Sequence, residues 1–388
     1  MGEDYTTDVN SGSPGIYPAQ NGRGLLRIIL AGGGTGGHIF PAVAIANAIK
    51  QQRPGAEILF VGAKGKMEME KVPQAGYNIR GLDIAGFDRS SLFKNIMLPF
   101  KLIKSFSQVK AIVNEFKPDA AIGVGGYSSF PVLKYAQRND IPTFIHESNS
   151  FAGKSNIMLG KNATRIFVAT EGMEKFFPAE KIMVTGNPVR TAIVNSMTTR
   201  DEALQFFNLD PHKKTILAVG GSLGAKSINE IMARHVIELE SLNLQLIWQT
   251  GKATAARYIE RGKPSKNVWV NDFIQDMDKA YAAADVVISR AGAMSVAELC
   301  VAKKPVVFVP YPLAAEDHQT VNAKYLVGRD AALMVKDSEV SAKLFGTITR
   351  LATDEALQKK LRTNIAKYAV TNADKIIAGE ILKAMPQP

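Results

Sequence analysis

The chain has 388 residues, 46% hydrophobic and 21% charged, a globular balance that excludes collagen, coiled-coil and disordered classes for its bulk. Cysteine occurs once, at Cys300, which excludes an intramolecular disulfide and a cysteine-based zinc site and fits a reducing compartment. Lysine and arginine outnumber aspartate and glutamate 47 to 36, and the net charge of +11 predicts an anionic partner: nucleic acid, a phosphorylated metabolite or an anionic membrane surface.

Residues 1–24 are polar and rich in Gly, Pro and Ser, without the basic and apolar regions of a signal peptide, and read as a disordered leader. No stretch reaches the ~18 apolar residues of a transmembrane helix. LLRIIL (25–30) reads as a strand, followed by a glycine loop, the helical PAVAIANAIKQQ (41–52) and the strand EILFVG (57–62). DAAIGVGGYSS (119–129) is strand then glycine loop, and PTFIHES (142–148), TRIFVAT (164–170) and KIMVTG (181–186) are further strands. The pattern restarts at KTILAVGGSLGAKSINEIM (214–232) and runs on through LQLIWQTG, NVWVNDFI, ADVVISRAGAMSVAELC and KPVVFVPYP. Strands alternating with helices predict an α/β fold of two Rossmann-like parallel-sheet domains, 25–188 and 200–365. Gly186 and Asn187-Pro188 break regular structure ahead of a hinge placed at 189–199, and the last helix, within 366–388, can pack on either domain.

In open parallel sheets ligands bind at the carboxyl ends of the strands, and the unusual residues of this chain sit on those loops. Gly32 to Gly37 contain G-x-G-x-x-G, but the second strand ends Val61-Gly62-Ala63-Lys64 without the ribose-binding acid of a dinucleotide site. What remains is a loop that a ligand can approach closely, at a helix N-terminus suited to anionic oxygens. His38 follows it, and the helix start favours the neutral imidazole, able to take a proton. In the second loop the N–H groups of Gly125 and Gly126, with Tyr127 and Ser128, suit a diphosphate; a plain turn with a packed tyrosine is the alternative. HESN (146–149) puts Glu147 at a strand end as a base or an anchor for a sugar hydroxyl, unless it only forms a salt bridge.

In the second half the N–H groups of GGSLGAKSIN (220–229), with Ser222, suit a diphosphate. Glu298, in SRAGAMSVAEL (289–299), can accept from a ribose diol or merely stabilise its helix. EDHQT (316–320) offers groups for sugar hydroxyls. The D-x-D of Asp276 and Asp278 reads as a helix start rather than a metal site. In SLFKNIMLPFKLIKSFSQVK (91–110), Leu92, Phe93, Ile96, Met97 and Phe100 recur among lysines, the pattern of a membrane-surface helix or of a core helix with solvated lysines, with Pro99 interrupting it.

Taken in order, GGGTGGHIFP, GVGGYSSFP, HESN, TGNPVR, GGSLGA, SRAGAMSVAEL and DHQ resemble the MurG-type N-acetylglucosaminyltransferases of peptidoglycan synthesis, glycosyltransferase family 28, from about Leu26 to the last helix. HESN departs from the family's common HEQN at Ser148. The resemblance implies a GT-B fold and inverting transfer of GlcNAc from UDP-GlcNAc to the MurNAc 4-hydroxyl of undecaprenyl-pyrophosphoryl-MurNAc-pentapeptide (lipid I), giving lipid II without a metal or other cofactor. It places donor contacts at Thr35, Gly36, Gly37, Asn149, Arg190, Ser222, Ile274, the run from Gly292 through Ala293, Met294, Ser295, Val296 and Ala297 to Glu298, and Gln319. Of these, Ile274 would present its backbone to uracil, Glu298 would hold the ribose, and Arg190 and the Ser222 loop would face the diphosphate. It implies a peripheral enzyme on the cytoplasmic face of the inner membrane, meeting anionic lipid through 91–110, with other wall-synthesis enzymes as partners. His38 is the first choice for base and Glu147 the second. The competing readings are another UDP-sugar GT-B transferase with a lipid acceptor, a UDP-GlcNAc 2-epimerase, and a basic nucleic-acid-binding protein; for the last no motif is present.

Overall fold

The computed structural model describes residues 25–34, 36–86, 98–221, 223–252, 255–262, 265–314 and 317–385. The leader, Thr35, Ser222, and Leu92, Phe93, Ile96 and Met97 of the apolar patch lie outside the described residues.

The first sheet holds β1 (Arg27–Ala31), β2 (Glu57–Ala63), β3 (Asn78–Leu82), β4 (Ala120–Gly123), β5 (Thr143–Glu147), β6 (Arg165–Val168) and β7 (Ile182–Val184). The second holds β8 (Lys214–Val219), β9 (Leu244–Gln249), β10 (Val268–Asn271), β11 (Val286–Ser289), β12 (Val306–Phe308) and β13 (Leu333–Met334). Their orders are β3-β2-β1-β4-β5-β6-β7 and β10-β9-β8-β11-β12-β13, and β1 runs parallel to both neighbours, Ile28 lying opposite Ile58 and Ala120. The two-domain, parallel-sheet α/β fold expected from the sequence is present.

Helices cover both faces of each sheet, so central strands are buried on both sides and read as continuous apolar runs. On β1, Ile28 and Leu30 join one core cluster while Ile29 and Ala31 join the other. On β8, Ile216 and Ala218 face one core and Leu217 the other. Two strands were not expected: β3, whose residues are half exposed, and the two-residue β13.

The order of each sheet decides where a site can form. It reverses between β1 and β4 and between β8 and β11, and the loops leaving such neighbours diverge to opposite faces, opening a crevice at the strand ends. Loop 32–38 therefore lies beside loop 124–128 in one domain, and loop 220–225 beside loop 290–293 in the other.

Val189 and Ile193 are buried in a core cluster of the second domain, so the chain has crossed before the expected hinge at 189–199 begins. It returns between Ala369, packed on that cluster, and Ala373, which opens the last helix, Ala373–Lys383. Ile377, Ala378 and Ile381 of this helix share a core with Ile45 and Ile49 of the helix Gly36–Gln52. The C-terminus thus packs on the first domain, and Gln52 Nε2 donates to the Lys375 carbonyl at 2.9 Å.

Candidate active site

The loops of the first domain interlock through close backbone approach. A Cβ on Gly126 would lie 2.4 Å from the Gly33 carbonyl oxygen, and one on Gly125 would lie 2.7 Å from the His38 ring. Both residues also take positive φ, +96° at Gly125 and +87° at Gly126, so only glycine fits. Ser129 Oγ, rather than Ser128, ties this loop down, within 2.7 Å of the Ala31 carbonyl and 2.9 Å of that of Gly125. Ser128 Oγ is buried without a partner among the described residues. The Tyr127 ring, half exposed, closes over Gly86 and beside Gly34.

His38 lies in the first turn of its helix, and its Nδ1 is 3.0 Å from the Gly33 carbonyl. A carbonyl only accepts, so Nδ1 carries the proton and Nε2 keeps a lone pair. Burial pushes the imidazole below its ordinary value, against the Gly33 carbonyl, Glu147 and Glu68, while His318 of the second domain pushes it further down. His146, by contrast, is buried with its pKa pushed by that burial down to about 4, its Nε2 3.4 Å from the Gly186 carbonyl.

Glu147 is 4% exposed and saturated with donors. Oε1 accepts from Asn149 N at 3.1 Å and Asn149 Nδ2 at 3.3 Å, and Oε2 from Gly153 N at 3.1 Å and Asn156 Nδ2 at 2.8 Å. Four donors fill the four lone-pair sites of a carboxylate, leaving none for a substrate proton. Glu147, expected as the second choice for base, is held by these four donors and clamps the loop that carries Asn149. Ser148, where the family commonly has glutamine, is buried, and its carbonyl accepts from Asn187 Nδ2 at 3.1 Å.

In the second domain the backbone N–H of Ile274 donates to Gln249 Oε1 at 3.0 Å. Gln249 Nε2 donates to the Gly221 carbonyl at 3.0 Å, so this buried amide joins the Ile274 segment to the glycine loop. Beside Ile274 a cavity of about 560 Å3 opens between the lobes, lined by Met67 and Lys71 on one side and Leu223, Trp269 and Phe273 on the other.

Arg190 and Glu298, expected to serve separate parts of a ligand, are paired. The guanidinium donates to both carboxylate oxygens, at 2.8 and 3.0 Å, and Tyr281 OH donates to Oε2 at 3.2 Å. Arg190 also lies 5.0 Å from the Phe40 ring centroid, across the lobes. Two of the five guanidinium N–H donors are thus spent on Glu298, and three remain for a ligand. Oε1 of Glu298, with one donor, retains room for a second. Gly292 caps the helix Ala293–Val301, and the Ala293 carbonyl is 3.5 Å from Asn187 Nδ2, setting the helix start against the first domain. Gln319 Oε1 accepts from Tyr311 N at 3.0 Å and leaves its amide N–H2 to donate. Asp276 immediately precedes the helix Met277–Ala283 without a side-chain cap bond and pairs with Lys279 at 3.0 Å.

Glu68 and Gln249 were missed from the sequence, and His318 was noted only as part of the EDHQT loop. Glu68 sits in the charged MEMEK, indistinguishable from a solvated helix acid, and Gln249 carries no motif. His318 had a signal, its place at a strand-to-helix loop.

Two nucleotide-fold lobes whose strand-end loops face one another, with a histidine on one of those loops, define the two-lobed fold of enzymes that act on nucleotide sugars. The chain belongs to glycosyltransferase family 28: residues 28–168 match the family's N-terminal domain and 215–377 its C-terminal domain. A UDP-N-acetylglucosamine--N-acetylmuramyl-(pentapeptide) pyrophosphoryl-undecaprenol N-acetylglucosamine transferase of Phocaeicola vulgatus is 52% identical over 92% of this chain and 96% of that protein. One of the same name from Bacteroides thetaiotaomicron is 52% identical over 92% of this chain and 97% of its own length. The crystal structure of Acinetobacter baumannii MurG superposes with a TM-score of 0.70 at 31% identity, covering 92% of this chain and 99% of that one. A UDP-GlcNAc 2-epimerase from Neisseria meningitidis shares the fold at 15% identity and a TM-score of 0.65, covering 92% of this chain and 100% of that one.

Proposed function

We propose that the chain transfers GlcNAc from UDP-GlcNAc to the MurNAc 4-hydroxyl of lipid I, with inversion, forming lipid II for peptidoglycan synthesis. The observation that carries the chemistry is the His38 bond to the Gly33 carbonyl, which leaves Nε2 as a proton acceptor in the cleft. Nε2 takes the proton of the acceptor hydroxyl as its oxygen attacks the anomeric carbon. The bond from that carbon to the diphosphate breaks and UDP leaves from the opposite face. Negative charge grows on the leaving diphosphate, and the backbone N–H groups opening the helices Lys226–Ser241 and Ala293–Val301 are preorganised for it. The uracil sits by Ile274 and the ribose on the free side of Glu298. Gly36, Gly37, Asn149, Gln319 and the 292–297 helix start surround the sugar and diphosphate, and the 125–128 loop receives the acceptor diphosphate.

No helix among the described residues is long and apolar enough to cross a membrane. The helix Leu98–Phe116 opens with Pro99 in its first turn, and its Phe100 and Ile103 are 65% and 70% exposed beside the exposed Lys101 and Lys104. This face supports peripheral binding to anionic lipid at the cytoplasmic side of the membrane, where the acceptor is anchored.

His38→Ala tests the reading, with labelled UDP-GlcNAc, a lipid I analogue and product analysis. Turnover is expected to fall roughly 10²–10⁴-fold with donor KM little changed. Near-normal turnover would remove His38 from the mechanism.

A further inference from the structure

Glu68 opens the short helix after β2, and its carboxylate is 1% exposed. Oε2 accepts the Gly34 N–H at 2.8 Å and Oε1 accepts the Ala63 N–H at 3.0 Å. The fit around it is tight. A Cβ on Gly33 would fall 2.2 Å from Oε1, and one on Gly62 would fall 2.5 Å from Glu68 Cγ. Two glycines therefore form a slot in which the carboxylate sits against the loop backbone. Gly34 N–H, which the sequence offered to a ligand anion, is spent inside the protein.

We propose that Glu68 is a positioning residue: by holding the Gly33-Gly34 turn it aims the Gly33 carbonyl at His38 Nδ1–H and so keeps Nε2 as the proton acceptor. This rests on the reading of His38 as the base. The chain of contacts runs from the carboxylate through one peptide unit to the imidazole. Glu68 holds the Gly34 N–H end of that peptide, and the backbone of Gly126 lies close against its Gly33 carbonyl end. A carboxylate suits the place because both facing groups are donors, and an amide of the same size could accept from only one of them. The charge matters as well. The groups facing His38 are the Gly33 carbonyl, Glu147 and Glu68, all favouring the imidazolium, and His318, opposing it. His146, buried and neutral, is close by and is itself lowered by His38.

The experiment compares wild type, Glu68→Gln, His38→Ala and the double variant as full chains, measuring kcat and donor KM across pH. Glu68→Gln is expected to lower kcat about 10–100-fold with donor KM within about twofold. Its acid limb should move to lower pH, because a negative charge and a carbonyl contact that both raise the His38 pKa are weakened. On the His38→Ala background the same substitution should cost little further. If it cost the same factor there, Glu68 would act independently of His38 and the proposal would fail while the base assignment stood. Near-normal turnover of His38→Ala would instead overturn the base assignment and the proposal with it. Nitrogen-15 NMR of histidine-labelled wild type supplies a readout that needs no variant to fold. The Nδ1–H tautomer of His38 is expected, and Nε2–H overturns the proposal.

Discussion

Glu147→Gln separates a loop clamp from a base. The amide keeps one oxygen, so its N–H2 must face two of the four donors: either both groups of Asn149, or Gly153 N and Asn156 Nδ2. Hydrogen bonds to a charged acceptor contribute about 1.5–3 kcal/mol each, and two are lost. Relaxation of the loop and entry of water recover part of this, leaving about 3 kcal/mol. Two lobes need not unfold as one, so a global midpoint would blur the loss. Amide exchange across 148–156 reads it locally, and about 3 kcal/mol should speed opening there roughly 100-fold while other segments stay unchanged. Turnover should fall through misplacement of Asn149, with the acid limb of kcat still set by His38. Should exchange across 148–156 match wild type while turnover drops more than about 100-fold, Glu147 would be acting on the proton itself, and the count of filled lone pairs would be the wrong guide.

Three further outcomes follow from the same geometry. Burial holds His38 below the ordinary 6.5, so kcat should be flat above that pH and decline only as pH drops through the lower value, where the imidazole gains a proton; an acid limb at or above 6.5 contradicts the assignment. Glu298→Ala leaves Arg190 without its carboxylate, and removing one partner of a buried pair costs about 3–5 kcal/mol. Donor KM should rise and UDP affinity fall by calorimetry, and unchanged UDP binding refutes the ribose role. Phe100→Asp combined with Ile103→Asp should reduce flotation with vesicles containing anionic lipid while turnover on a soluble acceptor analogue is retained; equal flotation of wild type and variant counts against the membrane face.

How much of this was legible depends on whether a residue's role is local or arises from contacts between distant segments. The central strands were readable because both faces are buried, so each is an apolar run; β1 and β8 lead straight into glycines and β4 ends on one. β3 was not, because NIRGL alternates exposed and half-buried positions at a sheet edge. The hinge was placed late because Gly186 and Asn187-Pro188 break structure visibly, whereas the capture of Val189 and Ile193 by the second core is a tertiary event. The glycine loops were legible as ligand-facing loops, and the strand order explains why: they occupy the crevice at each sheet's reversal.

The roles of the charged residues were the least legible, and for one physical reason. A carboxylate's chemistry depends on how many donors already surround it, and those donors come from distant segments. Glu147 looked free to accept a proton and is filled by Asn149, Gly153 and Asn156. Glu298 and Arg190 looked like separate contacts and prove to share two hydrogen bonds across 108 positions of chain. Glu68 carried no signal in the sequence and is nearly sealed from solvent against the glycine loop. His38 was readable because its constraint is local: it lies five positions along the chain from the Gly33 carbonyl that selects its tautomer. His38 could be singled out from sequence as a candidate base, while the contact of Glu68 with its loop could not, since Glu68 reaches that turn across the pairing of β2 with β1.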